Sequence, residues 1–533
     1  MWPVPTNCST RSALSDRLKR AVFRRPGRTI RSGRLLLGFV SVIIALLLVT
    51  PAVYLVVRVM EIGADDALAY LFRPRTGQLL WRTAQLAVLV TSASIVIGVG
   101  AAWCVTRGVR RGRAVVVALL TAPLAIPSYV SGFVWTRLFP GFEGLWAAVL
   151  VLTLACYPLV MLPAMAALAG TGGREEDAAR TLGCSAPTAF LRVTLPRIRT
   201  AVLAGGLLVA LYSISDFGGP AIVRFEPFTV GIYNAYNGTL DRSVAALYGL
   251  VLASIAVVLA LAERRVRRDV DSGATPPRSR DARDRPVAWT LVTLTVSVGV
   301  CVPIVGLLTE IRESRRLGFD DFGELLAWVA PYTRTTLELS AQAAVVIAIL
   351  ALPLAFFISR PRTRTGDSVE LVSYLGYTLP GVTVALSMVF LGTRVLPSYY
   401  LTAGMLIATY VVLFLPVCLG PVRSGVDAIP LHVADVSRTL GAGPLATAVR
   451  VQLPLLMPAV LAGSALAFLS VAKELPATLM LAPIGTRTLA TDMWSLSNDL
   501  NHGRAAVLGL VLIIVASIPT AALSTLFGKG VDR

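Results

Sequence analysis

The chain has 533 residues, of which 55% are hydrophobic and only 15% charged, and its mean hydropathy is +0.73. These values lie outside the range of soluble globular proteins and predict a membrane protein. A net charge of +19 would suit a nucleic-acid-binding protein. The basic residues are confined to short segments beside apolar runs, however, so we do not expect nucleic acid as a partner.

Apolar runs long enough to cross a membrane recur along the whole chain. A span needs about 20 helical residues, and on this criterion we predict an all-α polytopic protein with about twelve transmembrane helices. Their predicted starts lie near Leu35, Trp81, Val115, Leu145, Thr200, Val244, Val287, Thr336, Glu370, Leu401, Pro458 and Ala505. The first run is too long for a cleavable signal and is expected to be a retained span.

The basic segments all fall on one side of this arrangement. Residues 1–34 form a basic arm that contains nine Arg or Lys and one acid, Asp16. Further basic clusters lie near Arg107, between the sixth and seventh spans, and at 360–366. Because cytoplasmic loops are enriched in Lys and Arg, both termini are expected in the cytoplasm.

An internal duplication divides the chain into two halves. An offset of 258 residues aligns ARTLGCSAPTAFLRVTLPRIRTAVLAG with SRTLGAGPLATAVRVQLPLLMPAVLAG without a gap. An offset of 253 pairs Arg107 with Arg360 and Pro127 with Pro380, and the two prolines are candidates for helix kinks. Each copy holds six spans, and because six is even the two copies run parallel.

Four segments follow from this duplication. We expect a cytoplasmic basic arm at 1–34, a first repeat at 35–263, a cytoplasmic linker at 264–286 and a second repeat at 287–533. The linker is rich in Pro, Arg and Asp and lacks an apolar period, which is typical of a connecting segment.

The tetrapeptide RTLG ends a polar loop after the fourth span of each copy. In the first copy, acidic residues and helix formers precede Gly183, where glycine can adopt the left-handed conformation that closes a helix. In the second copy, Pro430 suits the first helical turn and Gly441 the stop. Each loop therefore predicts a short cytoplasmic helix held between two spans. Such a helix suits a lever for a cytoplasmic partner better than a plain connector.

The loops resemble the cytoplasmic motif of ABC importer permeases, which is Glu-Ala-Ala, three residues, Gly, nine residues, an aliphatic, one residue and Leu-Pro. The residues of the first copy that carry the resemblance are Glu176, Asp177, Ala178, Ala179, Gly183, Leu195 and Pro196. Those of the second copy are Asp435, Gly441, Leu453 and Pro454. Val436 and Ser437 replace the alanine pair there, which makes the two levers unequal.

The resemblance implies the type I importer permease fold and a multi-pass protein of the bacterial cytoplasmic (inner) membrane, surrounded by lipid. It implies that both coupling helices dock on a dimer of ATP-hydrolysing subunits and that an extracytoplasmic binding protein delivers the substrate. The chain contains no G-x-x-x-x-G-K-[ST] loop, so we expect it to be a non-enzymatic transport subunit. ATP would be used by the partner, and no cofactor is expected on this chain.

Two further stretches look like segments of fused iron(III) permeases, one starting at Ser215 and one, KELPATLMLAPIGTRTLATDMW, at Lys473. Iron(III) is therefore the first expected substrate, with thiamine and an organophosphonate as alternatives. A secondary transporter driven by an ion gradient is a different class. It would need ionisable residues at mid-membrane and would leave the repeated loop unexplained.

Asp216 and Glu474 occupy equivalent positions of the two copies, near the predicted outer end of the fifth span and its counterpart. We expect them at the outer mouth, where an ionisable group must face a cavity or a partner. Glu474 could form a structural ion pair with Lys473. Alternatively, both carboxylates and Tyr212 could offer oxygen atoms to a passing cation such as ferric iron. The two histidines form no cluster, so no stable metal site is expected.

Overall fold

The computed structural model describes residues 28–110, 112–170, 174–238, 242–272, 285–313, 319, 321–359 and 363–528. Most of the basic arm, the middle of the linker and Arg360 therefore lie outside the described residues. Within these ranges the chain forms α-helices joined by short 3-10 and π segments, and no β-strand is present. This agrees with the all-α architecture predicted from the apolar runs.

The helices of the first repeat follow one another with short connections. Their bounds are α1 (Arg28–Ile62), α2 (Ala64–Leu71), α3 (Pro74–Trp103), α4 (Arg113–Thr121), α5 (Ser128–Leu138), α6 (Leu145–Gly170), α7 (Arg174–Thr181), α8 (Ala186–Ala189), α9 (Leu195–Ser215), α10 (Gly218–Ile222), α11 (Phe228–Gly238) and α12 (Arg242–Ser272). A π segment, Cys104–Gly108, extends α3, and a second, Phe190–Thr194, joins α8 to α9.

The second repeat has the same order of elements. Its bounds are α13 (Pro286–Val296), α14 (Val302–Glu313), α15 (Phe322–Ser359), α16 (Arg364–Thr378), α17 (Gly381–Arg394), α18 (Ala403–Ala428), α19 (Leu431–Thr439), α20 (Pro444–Thr447), α21 (Leu453–Ala472), α22 (Pro476–Leu481), α23 (Leu489–Asn498) and α24 (His502–Gly528). The π segment Ala448–Gln452 joins α20 to α21, at the same offset of 258 residues.

Among the described residues, ten helices are long and apolar enough to cross a membrane. An eleventh span forms if α4 and α5, with the 3-10 turn between them, are counted together despite their bend of 88°. The counterpart of this broken span in the second repeat is α16 with the short apolar helix α17. This second pair does not meet the same criterion, so the described residues show ten or eleven of the about twelve spans predicted.

Several predicted starts were wrong because hydropathy locates only the apolar part of a helix. The span predicted from Thr200 already begins at Ala186, and the one predicted from Pro458 begins at Leu445. The span predicted from Thr336 belongs to a helix that starts at Phe322. In each case the helix continues upstream through turns that mix apolar residues with at least one charged residue.

Proline breaks one span at the same point of each repeat. Pro127 and Pro380 directly precede α5 and α17, and the residues before them, Ile126 and Leu379, have extended backbone conformations. A residue before proline is pushed out of the helical region, so the helix must stop there. The kink predicted at Pro127 is confirmed by the 88° bend.

The two repeats are interlocked by their first helices. Helix α1 packs against α15, α16 and α17 of the second repeat, whereas α13 and α14 pack against the end of α3 and against α5 of the first. At one of these contacts, the amide of Arg285 donates to the carbonyl of Gly108 at 3.0 Å. A Cβ atom on Gly108 would lie 2.3 Å from the Cβ of Ala288, so only glycine allows this approach.

The glycine that ends AVLAG in each repeat lies at a close helix crossing inside that repeat. A Cβ atom on Gly205 would lie 2.8 Å from backbone atoms of Leu159 and Val160 in α6. A Cβ atom on Gly463 would lie 2.8 to 3.2 Å from atoms of Cys418 in α18. Small residues permit such backbone contacts between membrane helices.

We therefore expect Gly205→Ala and Gly463→Ala to destabilise the protein by on the order of 1–3 kcal/mol, because the added methyl overpacks the crossing. The measurement is the thermal unfolding midpoint of the purified protein in detergent. Gly100→Ala is the matched control, since a Cβ atom on this glycine of α3 meets nothing within 4 Å. Equal midpoints for all three variants would contradict this packing role.

Candidate coupling helices and translocation site

The short helix predicted in the first polar loop is α7, and it closes at Gly183. The amide of Leu182 donates to Ala178 at 3.1 Å and the amide of Cys184 donates to Ala179 at 3.0 Å. Between them Gly183 has φ +92°, a left-handed conformation that side chains with a Cβ rarely adopt. The repeated glycine thus ends the helix and turns the chain back towards α9.

Helix α19 closes in the same way in the second repeat. The amide of Leu440 donates to Val436, and that of Ala442 donates to Ser437, both at 3.1 Å. Gly441 has φ +86°. The two helices therefore share one backbone geometry although their side chains differ, and we call α7 and α19 the coupling helices.

Each coupling helix leads through a π segment into a long span. The Leu-Pro pair begins the span, with Pro196 in the first turn of α9 and Pro454 in the first turn of α21. Proline lacks the N–H that would bond four residues back, and the preceding turn is widened to a π-helix at both places. The sequence shows the Leu-Pro pair but gave no prediction of the π segments.

Each coupling helix carries exposed apolar and acidic residues at matching positions. Leu182 is 85% exposed and its counterpart Leu440 is 82% exposed. Asp177 and Asp435 are also exposed, and Val436 extends the apolar face of α19. Two apolar side chains held at the same end of the molecule suit docking to a partner.

Glu176 points the opposite way from its neighbours. Its side chain is only 11% exposed and forms an ion pair with Arg107, at the end of α3. Its Oε2 atom also accepts a hydrogen bond of 2.9 Å from the hydroxyl of Thr194. Glu176 therefore belongs to the inner face of the coupling helix and is not part of its exposed surface.

Asp216 lies directly after α9 and closes the gap between this helix and α10. The hydroxyl of Ser128, the first residue of α5, donates to its two carboxylate oxygens at 2.9 and 3.0 Å. The amide of Gly219 donates to Oδ2 at 2.9 Å, and Tyr212 contributes a side-chain hydrogen bond. Asp216 thus holds together a helix end, a helix start and the break of the bent span.

Glu474 does the same between α21 and α22. Its Oε1 atom accepts from the amide of Ala477, and Oε2 accepts from the amide and the hydroxyl of Thr478, all at 3.0 Å. Gly381 stands where the first repeat has Ser128, and a Cβ atom on it would lie 3.3 Å from Oε1. The longer side chain of Glu474 faces the smaller residue, Gly381, whereas the shorter Asp216 faces Ser128. The two repeats therefore fill equivalent space with different side chains.

Glu474 is buried, with 8% of its surface exposed, and Asp216 is partly buried. Gly219 packs against Leu152, and the hydroxyl of Thr478 is 2.8 Å from that of Tyr410. Leu152 and Tyr410 are seven residues into α6 and α18, which is about 10 Å from the helix ends opposite the coupling helices. Both carboxylates therefore lie in the half of the bundle away from the coupling helices, and their position at the outer mouth stays a prediction.

Lys473 does not pair with its neighbour Glu474, which corrects one interpretation of the sequence. Its Nζ atom donates to the carbonyl of Leu124 at 3.0 Å, in the 3-10 turn before the break of the first repeat. The hydroxyl of Tyr129 lies 3.4 Å from the carbonyl of Lys473, and a Cβ atom on Gly218 would touch the Tyr129 ring. Lys473 and Tyr129 thus connect the two carboxylate sites across the repeats.

A small cavity of about 10 Å³, enough for about one water molecule, lies beside Glu474. Hydroxyl groups supply much of its polar lining: Thr336, Ser340, Tyr410, Thr478 and Thr488. Among the residues that the structure describes, no group of three or more His, Cys, Asp or Glu could hold a metal ion.

Sequence reasoning missed one pair of residues in this region. The hydroxyl of Thr83 accepts a hydrogen bond from the amide of Phe228, and that of Thr336 accepts one from Leu489, both at 2.9 Å. These bonds satisfy the first amides of α11 and α23, two helices that begin inside the bundle. The two threonines align at an offset of 253 residues, which is the signal that could have identified them.

Comparison with known proteins decides the family. The family of binding-protein-dependent transport system inner membrane components matches residues 94–272 and 344–533, once in each repeat. The chain belongs to this family. It is a fused, two-copy permease subunit of an ABC transporter, with the helical repeats described above.

Individual relatives differ in how much of this permease they cover. An Fe(3+)-transport system permease protein of Haemophilus influenzae is 28% identical over 91% of the chain and 96% of its own length. A sulfate transport system permease protein of Escherichia coli is 30% identical over 38% of the chain and 74% of its own length. A probable molybdenum ABC transporter permease of Haloferax volcanii is 32% identical over 33% and 71%.

These relatives make the permease a multi-pass membrane protein of the transport class. Family members are inner membrane components, and the ten long apolar helices of the described residues agree with that location. The relatives are permease subunits of transport systems, which agrees with a transport subunit.

The left-handed glycine of a coupling helix generates a specific prediction. Gly441→Val should strain the turn and speed amide exchange at 436–442 about tenfold, since a left-handed residue with a branched side chain costs about 1–3 kcal/mol. Hydrogen–deuterium exchange of the purified permease measures this. Gly443→Val, in the same turn but without a left-handed φ or a contact within 4 Å, should change exchange little. Similar exchange in both variants would refute the role of the turn.

Proposed function

We propose that the permease imports iron(III) in an ATP-driven transporter. The observation that carries the proposal is the full-length match to a fused Fe(3+)-transport permease. The sulfate and molybdenum permeases correspond to only about a third of the chain. The fused architecture is therefore shared with the iron relative over nearly its whole length.

The chemistry of the interior supports a hard cation as cargo. Asp216, Glu474 and Tyr212 place oxygen atoms in the half of the bundle away from the coupling helices, and hydroxyl groups line the adjoining cavity. Ferric iron prefers such oxygen donors. The carboxylate oxygens already accept hydrogen bonds from the protein, so they would attract a cation briefly without trapping it. Brief attraction suits passage.

The coupling helices suit docking to a dimer of ATPase subunits, one helix per subunit. The exposed Leu182 and Leu440 would enter grooves of that dimer, and closure of the dimer on ATP would move α7 and α19. ATP is then used by the partner. A binding protein would deliver iron at the opposite end, and both termini of the permease would lie on the cytoplasmic side.

The domain plan follows the same proposal. The basic arm 1–34 and the linker 264–286 would face the cytoplasm and its anionic lipid surface. The repeats 35–263 and 287–533 would each contribute one half of the passage. Thiamine and an organophosphonate remain alternative cargoes of the same plan, and an ion-coupled secondary mechanism is disfavoured by the family.

Uptake in cells that lack this chain tests the proposal. We expect loss of labelled iron(III) uptake and unchanged uptake of labelled thiamine, an organophosphonate, sulfate and molybdate, with iron uptake restored by the intact gene. Restored uptake should stop when ATP is depleted while the proton gradient is kept. Loss of thiamine or oxyanion uptake instead of iron would contradict the substrate, and uptake that survives ATP depletion would contradict the mechanism.

A further inference from the structure

The two coupling helices are attached to the bundle by different chemistry. In the first repeat, Glu176 of α7 is buried against Arg107 and Thr194. In the second repeat, Ala434 occupies the position of Glu176 at the offset of 258 residues. There the hydroxyl of Ser437 in α19 lies 3.0 Å from that of Thr447. The carboxylate of Glu176 thus has no counterpart at the same position of the second coupling helix.

The residues that hold Glu176 both lie on π segments. Arg107 belongs to the segment Cys104–Gly108 at the end of α3, and Thr194 ends the segment Phe190–Thr194 that leads into α9. Arg107 and Thr194 are 8% and 3% exposed. π segments are rare within helices and are frequently found at functional sites, and helices kink at them. Glu176 therefore contacts two spans, each at its π segment.

The end of α3 also contacts the second repeat. The carbonyl of Gly108, next to Arg107, accepts from the amide of Arg285, and the guanidinium of Arg285 lies 5.3 Å from the centre of the Trp103 ring. Arg285 directly precedes α13, the first helix of the second repeat. A displacement of α7 that pulls on Arg107 would therefore reach both repeats.

Resting on the proposed ATP-driven function, we propose that Glu176 is the positioning residue that links the first coupling helix to α3 and α9. It does not contact the ATPase. It converts movement of the docked helix into movement of the spans, because its carboxylate is bonded to both of them. Breaking this contact should leave docking and ATP hydrolysis unchanged, but the spans should no longer move with the coupling helix.

The test compares transport with ATP hydrolysis in vesicles that contain the full transporter, meaning this chain, its ATPase and its binding protein. For Glu176→Gln we expect iron(III) taken up per ATP hydrolysed to fall about tenfold, a typical size for a coupling between two sites. ATP hydrolysis and co-purification of the ATPase should stay near wild type. The swap Glu176→Arg with Arg107→Glu should restore part of the ratio, which a loss of folding alone would not allow.

Glu175→Gln is the matched control. Glu175 is the adjacent residue, and its ion pair with Arg197 is about half exposed on both sides, so the ratio should stay within about twofold of wild type. If Glu176→Gln is not recovered from membranes, Thr194→Val removes only the hydrogen bond and should give a smaller loss of the ratio.

An unchanged ratio in Glu176→Gln, or in Thr194→Val where that variant replaces it, would overturn the inference. Loss of ATPase co-purification would also overturn it, by assigning Glu176 to the docking surface. A wild-type chain that shows no ATP-dependent uptake would refute the proposed function and the inference together. ATP-dependent uptake by wild type, together with an unchanged ratio of uptake to ATP hydrolysis in Glu176→Gln, would refute the inference. It would leave the proposed function in place.

Discussion

A helix that stops inside a membrane leaves backbone amides without partners, and there is little water to satisfy them. This permease stops helices inside its bundle in both repeats. Asp216 and Glu474 accept hydrogen bonds from the first amides of α10 and α22, and Thr83 and Thr336 do so for α11 and α23. These side chains accept hydrogen bonds from backbone amides where the helices break. Non-helical backbone is therefore stable within the bundle, and a polar region can exist there.

The duplication conserves the backbone plan more strictly than the side chains that support it. The left-handed glycines, the π segments and the Leu-Pro starts recur at one offset. The contacts around them do not, since Ser128 with Asp216 corresponds to Gly381 with Glu474. Lys473 has Ser215 as its counterpart and reaches into the other repeat. The fused chain can therefore specialise each half while both keep the same geometry.

Much of the fold follows from local sequence signals. Apolar runs predict the spans, Gly183 and Gly441 predict the ends of the coupling helices, and Pro127 predicts the break of the third span. Each of these depends on residues close to one another in the chain. The boundaries were less accurate, because turns that mix apolar and charged residues can continue a helix without a clear change in hydropathy.

The candidate site was harder to predict because its contacts join distant parts of the chain. Glu176 was taken with the exposed loop, and only packing shows that it faces Arg107. Lys473 was considered a partner of Glu474 because they are neighbours in sequence, whereas its Nζ reaches a carbonyl 349 positions away. Which side of an eight-residue helix faces the bundle depends on how its two ends are connected to the neighbouring spans. Composition does not reveal this.

If the polar region at the helix breaks is the proposed passage, it must become accessible to solvent during transport. Ser340 lines the cavity beside Glu474, and Ile349 lies on the same helix with 61% of its surface exposed outside the bundle. In a background without reactive cysteines, Ser340→Cys should react with a membrane-impermeant thiol reagent about tenfold faster in one nucleotide state of the transporter than in the other. Ile349→Cys, facing lipid, should react slowly in both. An equally slow reaction of Ser340→Cys in both states would show that this polar region is not the passage.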